Sequence, residues 1–253
     1  MSYTHLSCGR VGAVTRSSAL RAASLALAGL AVVQGAPGLT ALGPVRRRLF
    51  PRLSGAGRPG KVALTFDDGP DPRCTPAFLE VLAARRVRAT FFLLGPMAAK
   101  APALAAEIAA AGHDIAVHGW HHRYPILRSP RALRDDLARA VDAVAAASGV
   151  RPRFYRPPYG VLSAGALAAA HGLGLTPVLW TTWGREWVPG ATAESVLAAL
   201  TASLADGGCV LLHDSDCTSP AGSAAAALQA LPPFLDLCGQ RALTVGPLST
   251  HRR

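Results

Sequence analysis

Two motifs in this 253-residue chain carry side chains of the kinds that bind metal ions. In TFDDGP, Asp67 and Asp68 are adjacent carboxylates that repel each other unless a cation or an arginine balances their charge. In HGWHH, His118 and His122 are four residues apart, a spacing that lets both imidazoles face one point on a helical turn. Two histidines and one carboxylate form a metal-binding set that leaves positions open for water. We therefore predict a divalent-metal site here, with the intervening His121 outside it.

Three further motifs could complete a hydrolytic site. RPPYG contains Arg156, which could orient a carboxylate, and Tyr159, whose backbone N–H could point at a developing oxyanion. VLLHDSD places His213 after an apolar run, where a carboxylate from Asp214 or Glu186 could keep it protonated as a general acid. LWTTWGREW holds three tryptophans, which suit stacking on sugar rings. Each motif alone is also compatible with ordinary packing or a proline-rich loop.

The elements that must position these side chains alternate between short apolar runs and longer Ala/Leu-rich periodic runs. Seven strands are predicted, at 62–66, 89–94, 114–118, 153–156, 176–180, 209–213 and 243–245. Six helices are predicted between them, at 75–86, 101–111, 130–148, 163–170, 193–204 and 221–237. Strict β/α order predicts a mostly parallel sheet, either closed into a barrel or open. The polar residues of the motifs all fall at strand ends, the edge that carries the active site in such folds.

In this order, TFDDGP, HGWHH, RPPYG, the tryptophan segment and LLHD resemble the motifs of the polysaccharide deacetylases, carbohydrate esterase family four. The resemblance covers about residues 60–247, and five motifs in the family's order make it specific. It implies a distorted (β/α) barrel of about seven parallel strands, with the site at their C-terminal ends. It also implies a metal-dependent hydrolase that removes N-acetyl groups from an N-acetylglucosamine-containing glycan, chitin-like or peptidoglycan.

The resemblance assigns roles to individual residues. The implied metal ligands, usually of zinc and in some members of cobalt or nickel, are Asp68, His118 and His122. Asp67 would be the general base that takes a proton from the attacking water, and Arg156 would hold it in place. His213 would protonate the leaving amine. The implied substrate contacts are Tyr159, Pro157, Trp187 and Leu211, with the Tyr159 N–H at the oxyanion and Leu211 at the acetyl methyl group.

Two positions depart from the family pattern. Gly119 stands where Ser or Thr is common, so a hydroxyl near the metal ligands is missing. Glu186 stands before Trp187 where Asp is usual, so the tuning of the His213 pKa depends on a carboxyl one methylene further out. Neither change removes a ligand, the base or the acid, and an active enzyme is expected. The alternatives are the same site acting on O-acetyl esters or small cyclic amides, and an inactive glycan-binding module.

The formal net charge of +11 belongs mostly to the N-terminal region. Residues 1–60 contain eight arginines and no acidic residue, which leaves 18 basic and 15 acidic residues in the rest of the chain. No basic stripe interleaved with aromatics occurs there, so nucleic-acid binding is not expected. We predict a leader at 1–59, a catalytic domain at 60–248 and a basic tail at 249–253. No protein partner is inferred.

The leader contains an uncharged stretch, 22–45, that is long enough to span a bilayer. Its most apolar part, 22–33, has the length of a signal-peptide core. An uncleaved signal anchor, a cleaved secretory signal and a disordered Ala-rich leader are the three interpretations. The first two place the domain on the cell membrane or outside the cell. The triplet Arg46-Arg47-Arg48 would be either a juxtamembrane cluster near anionic lipid or a solvated linker.

The cysteines contain no C-x-x-C pair, which argues against a zinc finger or a redox motif. Cys74 and Cys217 both follow strand ends that carry motifs, so they could meet at the rim of the site in a disulfide. Their alternative role is that of small apolar filler.

Overall fold

The computed structural model describes the backbone of residues 11–251 and the side chains of residues 20, 21 and 23–251. The first ten residues of the predicted leader and the last two of the predicted basic tail lie outside this range. The helices are α1 (Val11–Gly35), α2 (Gly43–Leu49), α3 (Thr75–Ala84), α4 (Gly95–Lys100), α5 (Pro102–Ala110), α6 (Pro130–Ser148), α7 (Ala164–Gly172), α8 (Ala193–Ser203), α9 (Ser223–Gln240) and α10 (Leu248–His251). Short 3-10 turns lie at Ala36–Ala41, Pro125–Leu127 and Pro158–Gly160.

The strands form one parallel sheet that curls into a half-barrel. They are β1 (Lys61–Asp67), β2 (Thr90–Leu93), β3 (Asp114–Val117), β4 (Phe154–Tyr155), β5 (Thr176–Pro177), β6 (Thr182–Trp183), β7 (Cys209–His213) and β8 (Thr244–Gly246). Their order is β5-β4-β3-β2-β1-β7-β6, and β8 pairs with the start of β1. All seven predicted strands are present, and the distorted (β/α) barrel is confirmed.

Strand β1 lies at the centre of the sheet, where it pairs with β2, β7 and β8. Its residues after Lys61 are all buried, because helices or neighbouring strands cover both faces. The Phe66 ring packs against Phe78 of α3 and Phe91 of β2, with centroids 5.1 and 5.0 Å apart. The register with β7 aligns Asp67 with His213, so two motifs end side by side.

The predicted strand 176–180 is wrong in its second half, because the chain crosses there from one sheet edge to the other. Thr176 and Pro177 pair with β4, whereas Thr182 and Trp183 pair with β7. The residues between them, 178–181, which we call the closure segment, bridge the gap between the two edges. Val178 N still donates to Tyr155 O of β4 and Thr181 N to Cys209 O of β7, but Leu179 N between them donates to Leu53 O, outside the sheet. Strand β6 and helices α2, α4 and α10 were not predicted from the sequence.

The predicted domain boundary after residue 59 does not match a break in the packing. Leu179 N donates to Leu53 O at 2.7 Å, and Ser54 is buried. Arg46 is only 5% exposed, so it belongs to neither a solvated linker nor a lipid-facing cluster. This part of the leader folds onto the domain because the closure segment needs partners for its backbone.

The described part of the predicted basic tail is likewise packed. His251 is buried, and its Nε2 lies 3.0 Å from Gly55 O. Ser249 donates to both carboxylate oxygens of Asp114 at 2.8 Å through its N–H and its hydroxyl. Helix α10 therefore ties the end of the chain to the base of the sheet, and residues 249–251 are not a free tail.

One described helical stretch, Ala23–Ala41, is long and apolar enough to cross a membrane, with a mean hydropathy of 1.4. It lies near the N-terminus, where a signal sequence has the same properties. Its C-terminal part already packs on the domain, because Gln34 Nε2 donates to Arg128 O at 3.2 Å and Gln34 Oε1 accepts from Gly165 N at 3.1 Å. By length and composition, both an anchor and a cleaved signal fit this helix.

Candidate active site

Three side chains from two strand ends converge on one point. Asp68 Oδ1 lies 3.5 Å from His118 Nε2 and 3.6 Å from His122 Nε2. One ligand atom from each residue lies within 4.8 Å of the others. His118 Nδ1 is 2.8 Å from Arg156 O, a contact that turns Nε2 toward Asp68. These are the residues that we predicted as metal ligands, and the structure brings all of them together.

The two histidines meet through a loop and not through the helical turn that their spacing suggested. Gly119 has φ +97° and His122 has φ +45°, which fold the chain back sharply after β3. The intervening His121 points elsewhere, with Nδ1 2.6 Å from Asp136 Oδ1. Asp136 also accepts from Trp120 N at 2.8 Å, so this α6 carboxylate shapes the loop.

The donor set fits a divalent cation on two observations. Asp68 Oδ1 is fully buried and has no hydrogen-bond partner in the described part of the chain, an arrangement that is costly unless a cation occupies the site. Burial lowers the pKa of His118 to about 3, against the opposing charge of Asp68, so its imidazole is neutral as a ligand must be. Asp68 Oδ2 accepts a hydrogen bond from Thr218 Oγ1, which fixes the orientation of the carboxylate.

A buried ion pair lies beside this set. Arg156 is fully buried, and its Nη1 donates to Asp67 Oδ1 and to Thr65 Oγ1, each at 2.7 Å. Asp67 Oδ2 lies 3.8 Å from His118 Nε2. Burial raises the pKa of the Asp67 carboxyl, while the charge of Arg156 opposes that rise. Asp67 is thus a carboxylate with one oxygen held by a guanidinium and the other facing the ligand set.

The opposite side of the site holds a paired histidine. His213 Nδ1 lies 2.7 Å from Glu186 Oε1. Burial alone would lower the pKa of His213, but the hydrogen bond and charge of Glu186 outweigh it and raise the pKa to about 9. Asp214, the other carboxylate considered from the sequence, instead accepts a hydrogen bond from Thr75 Oγ1. The partner of His213 is therefore Glu186.

A cavity of about 320 Å³ opens above these groups. Its walls are Asp67, His118, His122, Tyr159, Gly160, Trp180, Trp183, Trp187, Leu211, His213, Thr218, Ser219 and Pro220. Three of the residues predicted to contact substrate, Tyr159, Trp187 and Leu211, line this cavity. Pro157 is the exception, because it is buried and is not among the described lining residues.

Sequence reasoning missed the loop that follows β7. Thr218 contacts Asp68, and Cys217 Sγ lies 3.5 Å from Asp68 O. Cys217 was expected only at the rim of the site, and Thr218 follows LLHD in a segment with no periodic pattern, so no signal in the sequence marked its contact with Asp68. Cys74 and Cys217 are both free thiols, so the disulfide considered above is absent from the described structure.

The comparisons with known proteins agree with this geometry. A family model described as polysaccharide deacetylase matches residues 54–178. A chitooligosaccharide deacetylase from Bradyrhizobium sp. (strain ANU 289) is 37% identical over 170 residues, 66% of this chain and 75% of that protein. The chain belongs to the polysaccharide deacetylase family.

Two other members of the polysaccharide deacetylase family extend the comparison. A peptidoglycan-N-acetylglucosamine deacetylase from Bacillus cereus is 32% identical over 196 residues, 76% of this chain and 70% of that protein. The crystal structure of the Bc1960 peptidoglycan N-acetylglucosamine deacetylase superposes with a TM-score of 0.72 at 28% identity. That match covers 78% of this chain and 91% of the other, so the shared deacetylase fold spans nearly the whole domain.

The structure explains how the two departures from the polysaccharide deacetylase pattern, Gly119 and Glu186, are accommodated. At Gly119 the backbone φ of +97° is one that a Ser or Thr side chain rarely adopts, so glycine suits this loop. At Glu186 the longer side chain still reaches His213, and Oε1 makes a hydrogen bond of ordinary length. The loop thus accommodates the longer side chain of Glu186, and His213 keeps a carboxylate partner.

Proposed function

We propose that this protein is a metal-dependent hydrolase that removes N-acetyl groups from an N-acetylglucosamine-containing glycan, chitin-like or peptidoglycan. The observation that carries the proposal is one cavity with three chemical parts. They are a two-histidine, one-aspartate donor set, a carboxylate held by arginine and a histidine held by glutamate. The named activities of the relatives support the same reaction class.

The residues divide the work of amide hydrolysis. A divalent cation held by Asp68, His118 and His122 would act as a Lewis acid toward the acetyl carbonyl and lower the pKa of water. Asp67 accepts the proton of the attacking water through the oxygen that Arg156 leaves free. His213, with Nδ1 bound to Glu186, delivers a proton from Nε2 to the leaving amine.

With the acid and base in these roles, the C–N bond breaks to give acetate and the free amine. The backbone N–H of Tyr159 would stabilise the oxyanion that forms on the acetyl carbonyl. The two protonation states are compatible because Asp67 and His213 have different charged neighbours, Arg156 and Glu186.

The aromatic lining favours a sugar substrate. Tyr159 is about half exposed and stacks on Tyr124 with ring centroids 3.9 Å apart, which offers a flat face at the mouth of the cavity. Trp183 and Trp187 form the facing wall, with centroids 5.5 Å apart. O-acetyl esters would enter the same cavity, so hydrolysis of an O-acetyl ester is the second candidate function. The apolar helix α1 supports a location at the cell membrane or outside the cell.

The deciding experiment is acetate release by the full-length protein. N-acetylglucosamine oligomers, peptidoglycan, acetylated xylan and a small cyclic amide would be compared, each with added zinc and after treatment with a chelator. Release from the first two that is abolished by chelation and restored by zinc, cobalt or nickel is the expected result. Release that survives chelation would refute metal dependence, and tight glycan binding without release from any substrate would indicate an inactive binding module.

Replacement of Glu186 by Gln should shift the pH dependence of the enzyme. His213 must be protonated to act as an acid, and its pKa of about 9 keeps wild type active up to that pH. Loss of the Glu186 charge lowers this pKa by roughly 1–3 units, so the alkaline limb of kcat/KM moves down by that amount. The exposed Glu194→Gln variant is the matched control and should keep the wild-type profile. An unmoved alkaline limb in Glu186→Gln would exclude this role for Glu186.

A further inference from the structure

Arg46 is a buried cation in a segment that precedes the region matched by the family model. Its Nη2 donates to Trp180 O at 2.8 Å and its Nη1 donates to Thr40 O at 2.9 Å. Its Cζ also lies 5.3 Å from the centroid of the Trp180 ring. Burial, together with the charge of Arg156, lowers the pKa of Arg46 to about 10, so the guanidinium remains charged at neutral pH. These are charge-assisted hydrogen bonds of a buried guanidinium, which are stronger than hydrogen bonds between neutral groups.

The Trp180 carbonyl needs this donor because it lies in the closure segment. Arg156 donates to the two preceding carbonyls, from Nε to Val178 O at 3.2 Å and from Nη2 to Leu179 O at 2.9 Å. Two buried arginines therefore hold three consecutive carbonyls across the gap between β5 and β6. Arg156 does so from within the family's motif, whereas Arg46 does so from the leader.

The Trp180 side chain is part of the active-site wall and fits it tightly. A Cβ added at Gly160 would lie 2.5 Å from the Trp180 ring, so the ring packs directly on the backbone of the RPPYG turn. From Trp180 a row of rings continues to Trp183 at 5.8 Å, to Trp187 at 5.5 Å and to His213 at 5.3 Å between centroids. A shift of Trp180 would therefore change the shape of the acetyl pocket and the aromatic wall.

We propose that Arg46 is a positioning residue of the active site, which sets the aromatic wall through the Trp180 carbonyl and ring. Through Arg46 and its bonds to Thr40 O and Trp180 O, the leader then takes part in shaping the active site and is not only a tether. This inference rests on the proposed deacetylase function. The same two bonds of Arg46 link the turn that follows α1, at Thr40, to the tryptophan wall of the cavity.

The test is the full-length Arg46→Gln variant, with Arg48→Gln, an exposed arginine on the same helix α2, as its matched control. We expect KM for an N-acetylglucosamine oligomer to rise about tenfold, the size associated with loss of one charged hydrogen bond, with kcat within about threefold of wild type. Near-UV circular dichroism of the tryptophans should change while the zinc stoichiometry stays the same. Arg48→Gln should match wild type in all three measurements.

The outcomes separate this inference from the proposed function. Wild-type KM and near-UV spectrum in Arg46→Gln would overturn the positioning role. If Arg46→Gln does not fold, Arg46→Lys decides. Lysine keeps the positive charge but cannot bond to the Thr40 and Trp180 carbonyls with two separate nitrogens. A KM above the wild-type value then supports the proposal, and a wild-type KM overturns it. If wild type itself releases no acetate, the proposed function fails, and the near-UV spectra of the variants still decide whether Arg46 sets Trp180.

Discussion

Asp67→Asn is expected to lower kcat by about 10²–10⁴-fold, the range associated with general base catalysis, while zinc binding stays near the wild-type level. Asn has nearly the same shape as Asp, and its amide oxygen can still accept the bond that Arg156 Nη1 gives to Oδ1. Its amide nitrogen takes the place of Oδ2 and cannot accept a proton from water. The variant therefore removes the base and leaves the geometry of the ligand set in place.

The stability of this variant must be measured with its activity, because a buried arginine loses its counter-charge. Breaking a buried ion pair can cost about 3–5 kcal/mol of unfolding free energy. Here Arg156 keeps its bonds to Thr65, Val178 and Leu179, which hold the guanidinium in position. Thermal unfolding and zinc content are the checks, and the exposed Asp135→Asn is the control. Activity within tenfold of wild type at equal zinc content would exclude Asp67 as the base.

The sequence was sufficient to predict the central strands of the sheet and the polar residues at their ends. Parallel strands covered on both faces must be continuously apolar, so β1, β2 and β7 were visible as apolar runs. Their polar ends then had to share one edge. The conformation of the ligand loop could not be predicted, because an i,i+4 spacing favours a helical turn whereas Gly119 and His122 adopt positive φ.

The role of the leader could not be predicted for a different reason. A triplet of arginines beside an apolar run has the composition of a membrane-proximal address, and composition does not distinguish Arg46 from its neighbours. What sets Arg46 apart is the set of carbonyls at Thr40 and Trp180, which exists only after the sheet has curled. The division of the predicted strand at 178 has the same origin, since the gap that it bridges is a property of the whole barrel.

His118→Ala should abolish both metal binding and acetate release. The change removes one of the ligand atoms and also the contact with Arg156 O that aligns the loop after β3. Lewis-acid stabilisation of a transition state is worth several kcal/mol, so acetate release should fall by more than about 10³-fold. Zinc content after dialysis should fall from about one ion per chain to a small fraction of that, which is measured independently of activity.

His121→Ala is the matched control for this prediction, because it alters the next histidine in the same motif. His121 is bound to Asp136 at the surface and does not point at the ligand set, so its loss should leave zinc content unchanged and activity within a few-fold of wild type. If His118→Ala retained its zinc, the ion would be held elsewhere and the ligand assignment would be wrong. If both variants lost zinc equally, the loop as a whole, and not the His118 imidazole, would be what binding requires.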